Sequence, residues 1–143
     1  MEDNIVFSKI WQDDCLIELR VTCTSSVASV ISSIYVSDYS IDELNCKIKH
    51  FLYSKDRDEV SLWESGGRGD GTVACVSLRF LKKDALGHIT VEVFAEIDDG
   101  GSYSEHNCCF FVNTEYGLLL NFCDRLVQMK ERPVGYEIQL NYS

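Results

Sequence analysis

His88 follows Asp84 by four residues in the segment Asp84-Ala85-Leu86-Gly87-His88, which reads as a tight turn between two apolar runs. An aspartate that fixes the tautomer of an imidazole prepares it as a general base, so the pair has the composition of part of a hydrolytic site. The same spacing describes a hairpin in which Gly87 supplies the turn and His88 bonds locally. No Gly-x-Ser-x-Gly element accompanies it, and the hairpin reading is the one expected. His106 and Cys108 stand two apart, a spacing that puts both on one face of a strand. With Cys75 or Cys123 they would make an incomplete zinc set, but the paired Cys-x-x-Cys spacing is missing and the thiols read as core. No metal, cofactor or catalytic residue is expected.

Gly66-Gly67-Arg68-Gly69-Asp70-Gly71 contains Gly-x-Gly elements, yet a phosphate cradle opens a helix and this run leads into a strand. It reads as a loop. Basic residues gather at Lys47, Lys49, His50, Lys55 and Arg57, with Lys82-Lys83 in a turn. With aromatic neighbours they would suit single-stranded nucleic acid, and in isolation they make a solvated helix face. Carboxylates concentrate at loop positions: Asp13-Asp14, Asp56, Asp58 and Glu59, Glu64 with Asp70, and Asp98-Asp99 with Glu105. Such loops keep a surface soluble, and as a set they would steer a basic partner. The candidate partner-binding residues are therefore Asp13, Asp14, Trp63, Glu64, Asp70, Asp98, Asp99 and Glu105, with Trp11 or Trp63 as a buried aromatic anchor of the interface.

The overall charge agrees with that choice. Lys and Arg total 13 against 23 Asp and Glu, a net charge of −10 at pH 7. Binders of the phosphate backbone concentrate Lys and Arg to displace counterions, so direct nucleic-acid binding is not expected. At 143 residues and 45% hydrophobic, the chain reads as one domain able to bury a core. The start, Met-Glu-Asp-Asn, has neither a basic nor a long apolar leader, and no apolar run approaches the ~20 residues of a membrane span. The seven cysteines are expected to be reduced, buried thiols. The expected compartment is the cytoplasm.

Period-two alternation dominates the elements that position these residues. Cys15, Ile17, Leu19, Val21 and Cys23 share a face, as do Ala74, Val76, Leu78 and Phe80. In 87–97, Ile89, Val91, Val93, Ala95 and Ile97 point inward, with Thr90, Glu92 and Glu96 outward. Tyr136, Ile138, Leu140 and Tyr142 alternate at the C-terminus, and 5–11, 29–37, 60–64 and 105–112 are further strands. Two segments change to helical spacing. One follows Ser40 as N-cap with Glu43 behind it, and carries Ile41, Leu44, Ile48, Phe51 and Leu52 on one stripe. The other follows Asn113 or Thr114, buries Leu119, Phe122, Cys123, Leu126 and Met129, and stops at Arg132-Pro133. The expectation is an α+β domain of two pseudo-repeated βββαβ halves, about 1–65 and 72–143, with antiparallel sheets each covered by one amphipathic helix.

A small acidic chain with this element order resembles the immunity proteins of bacterial contact-dependent growth-inhibition and related polymorphic toxin systems. The twofold strand-strand-strand-helix order is similar to the Whirly type of fold, an architecture described for one immunity branch directed at an rRNA-cleaving toxin. That resemblance implies non-covalent blockade of a cognate nuclease domain. The alternative it leaves is a single-stranded nucleic-acid-binding domain, since Whirly proteins proper bind single strands through a basic motif. Trp63-Glu64-Ser65 with Asp84 and Gly87-His88-Ile89-Thr90-Val91 is also similar to a little-characterised bacterial family over about residues 40–130, which implies no biochemical role.

Overall fold

The computed structural model describes residues 2–66, 74–97 and 106–141. Three strands come first: β1 (Asn4–Gln12), β2 (Ile17–Thr24) and β3 (Ser29–Val36). Helix α1 (Asp38–Tyr53) leads to β4 (Val60–Ser65), and β5 (Val76–Lys82), β6 (His88–Glu96) and β7 (Asn107–Glu115) follow. Helix α2 (Tyr116–Leu126) runs on as a 3-10 turn over Val127–Lys130, and β8 (Glu137–Gln139) closes the chain. The protein is α+β, with two four-stranded sheets ordered β3-β2-β1-β8 and β4-β5-β6-β7. Every strand pair is antiparallel.

The sheets do not divide where the two sequence halves divide. β4 leaves the first three strands to pair with β5, and β8 returns to pair with β1. Each helix is thus the bridge from one sheet to the other, and packs on the sheet that its following strand joins. Phe51 of α1 meets Phe80 of β5, with ring centroids 6.1 Å apart, and Phe122 of α2 meets Phe7 of β1 at 5.3 Å. The helices also touch each other, where Cys123 Sγ donates to the Asn45 carbonyl at 3.6 Å and Lys49 pairs with Asp124 at 3.6 Å. Both predicted apolar stripes are buried in one contiguous core: Ile41, Leu44, Ile48, Phe51 and Leu52, and Leu119, Phe122, Cys123, Leu126 and Met129. Burying a side chain of this size is worth roughly 1.5–3 kcal/mol before the entropy of ordering is subtracted.

The element ends differ from expectation for local reasons. The α1 cap is Ser37, whose Oγ accepts from the Ser40 N–H at 3.2 Å, so Ser40 lies inside the first turn. Strand β7 continues through Asn113 and Thr114, and α2 begins without a side-chain cap. Its first N–H, on Tyr116, donates instead to the Gly87 carbonyl at 2.8 Å. Cys15 precedes β2 and is exposed, Ala74 precedes β5, and Ile97 is half-buried beyond the end of β6. Glu96, expected outward, is buried, because its Oε1 accepts from the Cys75 N–H at 3.0 Å at the start of β5. Tyr142 lies outside the described residues.

Lys9 points into the core between Phe7 and a bulge, 1% exposed. Its ammonium donates to the carbonyls of Met129 at 2.9 Å and Arg132 at 2.6 Å. These carbonyls sit where the α2 extension ends and have no helical donor of their own, so the lysine caps that end from below. Burial pulls its pKa down, against a smaller opposing effect of Asp38. At the β7 edge, the Asn113 N–H donates to Asp3 Oδ2 at 2.8 Å and the Asn113 carbonyl accepts from Asn141 Nδ2 at 2.7 Å. The two chain termini thereby occupy backbone groups that an open sheet edge would otherwise present.

Candidate functional site

The Asp84–His88 pair forms, but its contacts close a turn. Asp84 Oδ2 lies 2.6 Å from His88 Nδ1, while Oδ1 accepts from the N–H of Leu86 at 2.8 Å and of His88 at 3.3 Å. The hydrogen bond with His88 is the main reason that the Asp84 carboxyl titrates below its ordinary value. Gly87, at φ +90°, turns the chain so that its carbonyl meets Tyr116. The pair borders a groove of about 330 Å³ lined also by Lys55, Arg57, Lys82 and Tyr116. A general base needs a nucleophile in reach. The serine lining this groove, Ser54, already accepts from the Asp56 N–H at 3.2 Å.

The predicted basic run separates in space. Lys55 and Arg57 converge with Lys82 on the groove, but the Lys82 ammonium donates to the carbonyls of Ser54 and Asp56 and lies 5.5 Å above the Phe51 ring. Lys47 donates to the Leu62 carbonyl at 2.7 Å, Lys49 faces Asp124, and His50 lies 3.3 Å from Glu59. No continuous basic stripe results from these residues.

The cysteines are free, and they divide by environment. Cys23, Cys75 and Cys123 are buried, Cys108 is half-buried, and Cys15, Cys46 and Cys109 are exposed, contrary to the expectation that all are core. Burial pushes the thiols of Cys23 and Cys123 up to about 12, and raises Cys108 as well. Among the described residues no group of three or more His, Cys, Asp or Glu side chains is placed to hold a metal ion.

Of the candidate partner-binding residues, Asp70, Asp98, Asp99 and Glu105 lie outside the described residues. Trp63 is 2% exposed, packed in the core of its sheet. Glu64 is exposed on the opposite face of β4 from Trp63. Asp13 and Asp14 are exposed on the β1–β2 turn, where Asp13 Oδ1 accepts from the N–H groups of Cys15 and Leu16, both at 2.8 Å. Those two bonds hold the Asp13 carboxyl below its ordinary pKa.

Beside that turn the structure assembles residues that the sequence did not connect. Trp11 is 43% exposed and Tyr35 is 55% exposed, and their rings stand edge to face with centroids 6.3 Å apart. Both flank Glu18, which is opposite Trp11 in one strand pair and opposite Tyr35 in the other. Period two from Ile5, Phe7 and Lys9 would aim Trp11 inward. A register shift between Lys9 and Trp11 turns it out. Asp13, Asp14, Leu16, Asp38 and Tyr39 line a shallow depression of about 240 Å³ next to it. No signal in the sequence announces the bulge, so alternation alone could not find this surface. Among the described residues no helix is long and apolar enough to cross a membrane. Comparison with protein families, with curated proteins and with solved structures finds no match to this chain.

Proposed function

We propose that this chain is a stoichiometric inhibitor, an immunity protein that neutralises a basic nuclease domain, of the rRNA-cleaving kind in keeping with the branch named above, by covering it without chemistry, acting in the cytoplasm and touching neither nucleic acid nor membrane. The observation that carries the reading is how the cations are used. The charge is −10 to begin with, and the ammonium groups of Lys9, Lys47 and Lys82 donate to backbone carbonyls. These ammonium groups spend their hydrogen bonds on carbonyls, and with ten more carboxylates than cations the net field at the surface is negative. A field of that sign raises the encounter rate with a basic surface and repels phosphate.

The fold belongs to the same proposal. Read from opposite ends, the sheet orders β3-β2-β1-β8 and β7-β6-β5-β4 match element for element, and the Phe7–Phe122 contact has its counterpart in Phe80–Phe51. This correspondence supports a pseudo-repeat of Whirly-like type, in which the halves exchange their last strands.

The test is co-expression with nuclease domains encoded beside this chain's own gene. Restored growth together with co-purification of a stoichiometric complex is the expected result. Failure of every flanking nuclease, with salt-sensitive binding of single-stranded oligonucleotides, would replace the reading with a nucleic-acid-binding domain.

A further inference from the structure

The outer face of the β3-β2-β1-β8 sheet leaves rigid aromatic area in water. Trp11 and Tyr35 hold each other edge to face at an interplanar angle of 79°. Ile31 on the same face of β3, Leu16 on the turn and Tyr39 at the start of α1 are exposed around them. Exposed rings whose positions are set by strands lose little freedom on docking, which is why Trp and Tyr dominate binding energy where they occur.

The charge around these rings is mainly negative. Asp13, Asp14, Glu18 and Asp38 border them, against Arg20 on the next outward position of β2. Lys130 is paired with Asp42 at 2.9 Å, and its charge and that of buried Lys9 also reach Asp38. The outer face of the second sheet gives the comparison. There Leu62 and Phe111 are exposed too, but the register row that joins them runs through Arg79 and Glu92, a neutral pair at 2.7 Å. The first face thus brings four carboxylates around its exposed rings, whereas the row that joins Leu62 and Phe111 is charge-balanced.

We infer that the Trp11–Tyr35 face is where the basic nuclease docks, with the two rings as anchors and Asp13, Asp14, Glu18 and Asp38 meeting its cations. This rests on the inhibitor reading above. A second copy of this chain would bring the same carboxylates against themselves, and RNA would bring phosphates, so both fit the face poorly.

The test uses the nuclease recovered in the rescue experiment and three variants of the full chain. Trp11→Ala/Tyr35→Ala should speed dissociation by about 30-fold or more, the scale of a lost pair of anchors. Asp14→Lys/Glu18→Lys should slow association about 10-fold or more at low salt, a difference that shrinks at high salt. Phe111→Ser, on the other sheet, should bind and rescue as the parent does. Thermal melts show that each variant is folded, and the charge pair stands if the ring pair is not. Parental binding by both patch variants, with loss in Phe111→Ser, would overturn the docking face and leave the inhibitor reading intact. A parent chain that binds no flanking nuclease overturns both.

Discussion

The ring of Phe122 stands edge-on to that of Phe7, with 5.3 Å between centroids and 79° between planes. The contact seats α2 on β1, an interior strand of its sheet, and it brings β8 back to the edge of that same sheet. Phe122→Ala should cost about 3–5 kcal/mol, since the cavity lies between a helix and a sheet that cannot both collapse into it. In a double-mutant cycle with leucine at both positions, a coupling of about 0.5–1.5 kcal/mol is expected from urea denaturation. Coupling near zero would show that the rings contribute area only.

Lys9 offers a sharper test, because a buried charge is seldom neutral to remove. Lys9→Met keeps the stem and deletes the donor, leaving the carbonyls of Met129 and Arg132 without it. The expected loss is about 2–4 kcal/mol, read as a fall in the urea midpoint. A variant as stable as the parent would mean that water replaces the ammonium there.

Gly87→Ala separates backbone strain from crowding. The added Cβ would stand 3.6 Å from Tyr116 Cβ, an ordinary contact, while φ stays at +90°. The destabilisation of about 1–2 kcal/mol is therefore conformational. Calorimetry should place the Ala variant below the parent by that amount.

Acid stability should contain a contribution from Asp84. Its folded pKa lies below the ordinary 3.8, chiefly through the hydrogen bond with His88. The unfolded chain thus binds the proton more readily, and stability present above that value is lost as pH falls through the folded pKa. Asp84→Asn should flatten the dependence of the urea midpoint on pH in this acid range. An unchanged slope would show that the pairing is absent in solution.

Thiol labelling should sort the cysteines by environment. Cys15, Cys46 and Cys109 are exposed and should react in the native state. Cys23 and Cys123, whose thiols are pushed up to about 12, should react only on unfolding. Mass spectrometry of a short labelling pulse identifies the sites, and early modification of Cys123 would contradict the packing of α2.

Alternation and helical spacing, read from the sequence, determined the order of elements and nearly all of the core. Both depend on neighbours a few residues apart, which makes stripes such as Ile41, Leu44, Ile48, Phe51 and Leu52 legible without a fold. The same reasoning placed Asp84 and His88 in one turn, because their contacts are local. Which sheet receives β4 and β8, the carbonyls that Lys9 meets and the meeting of Trp11 with Tyr35 were decided by tertiary structure. Each depends on a partner far along the chain: β5 for β4 and β1 for β8, the Met129 and Arg132 carbonyls for Lys9, and the β1–β2–β3 register for the rings. A single bulged residue reverses the face of everything beyond it, and hydrophobic period cannot register that reversal.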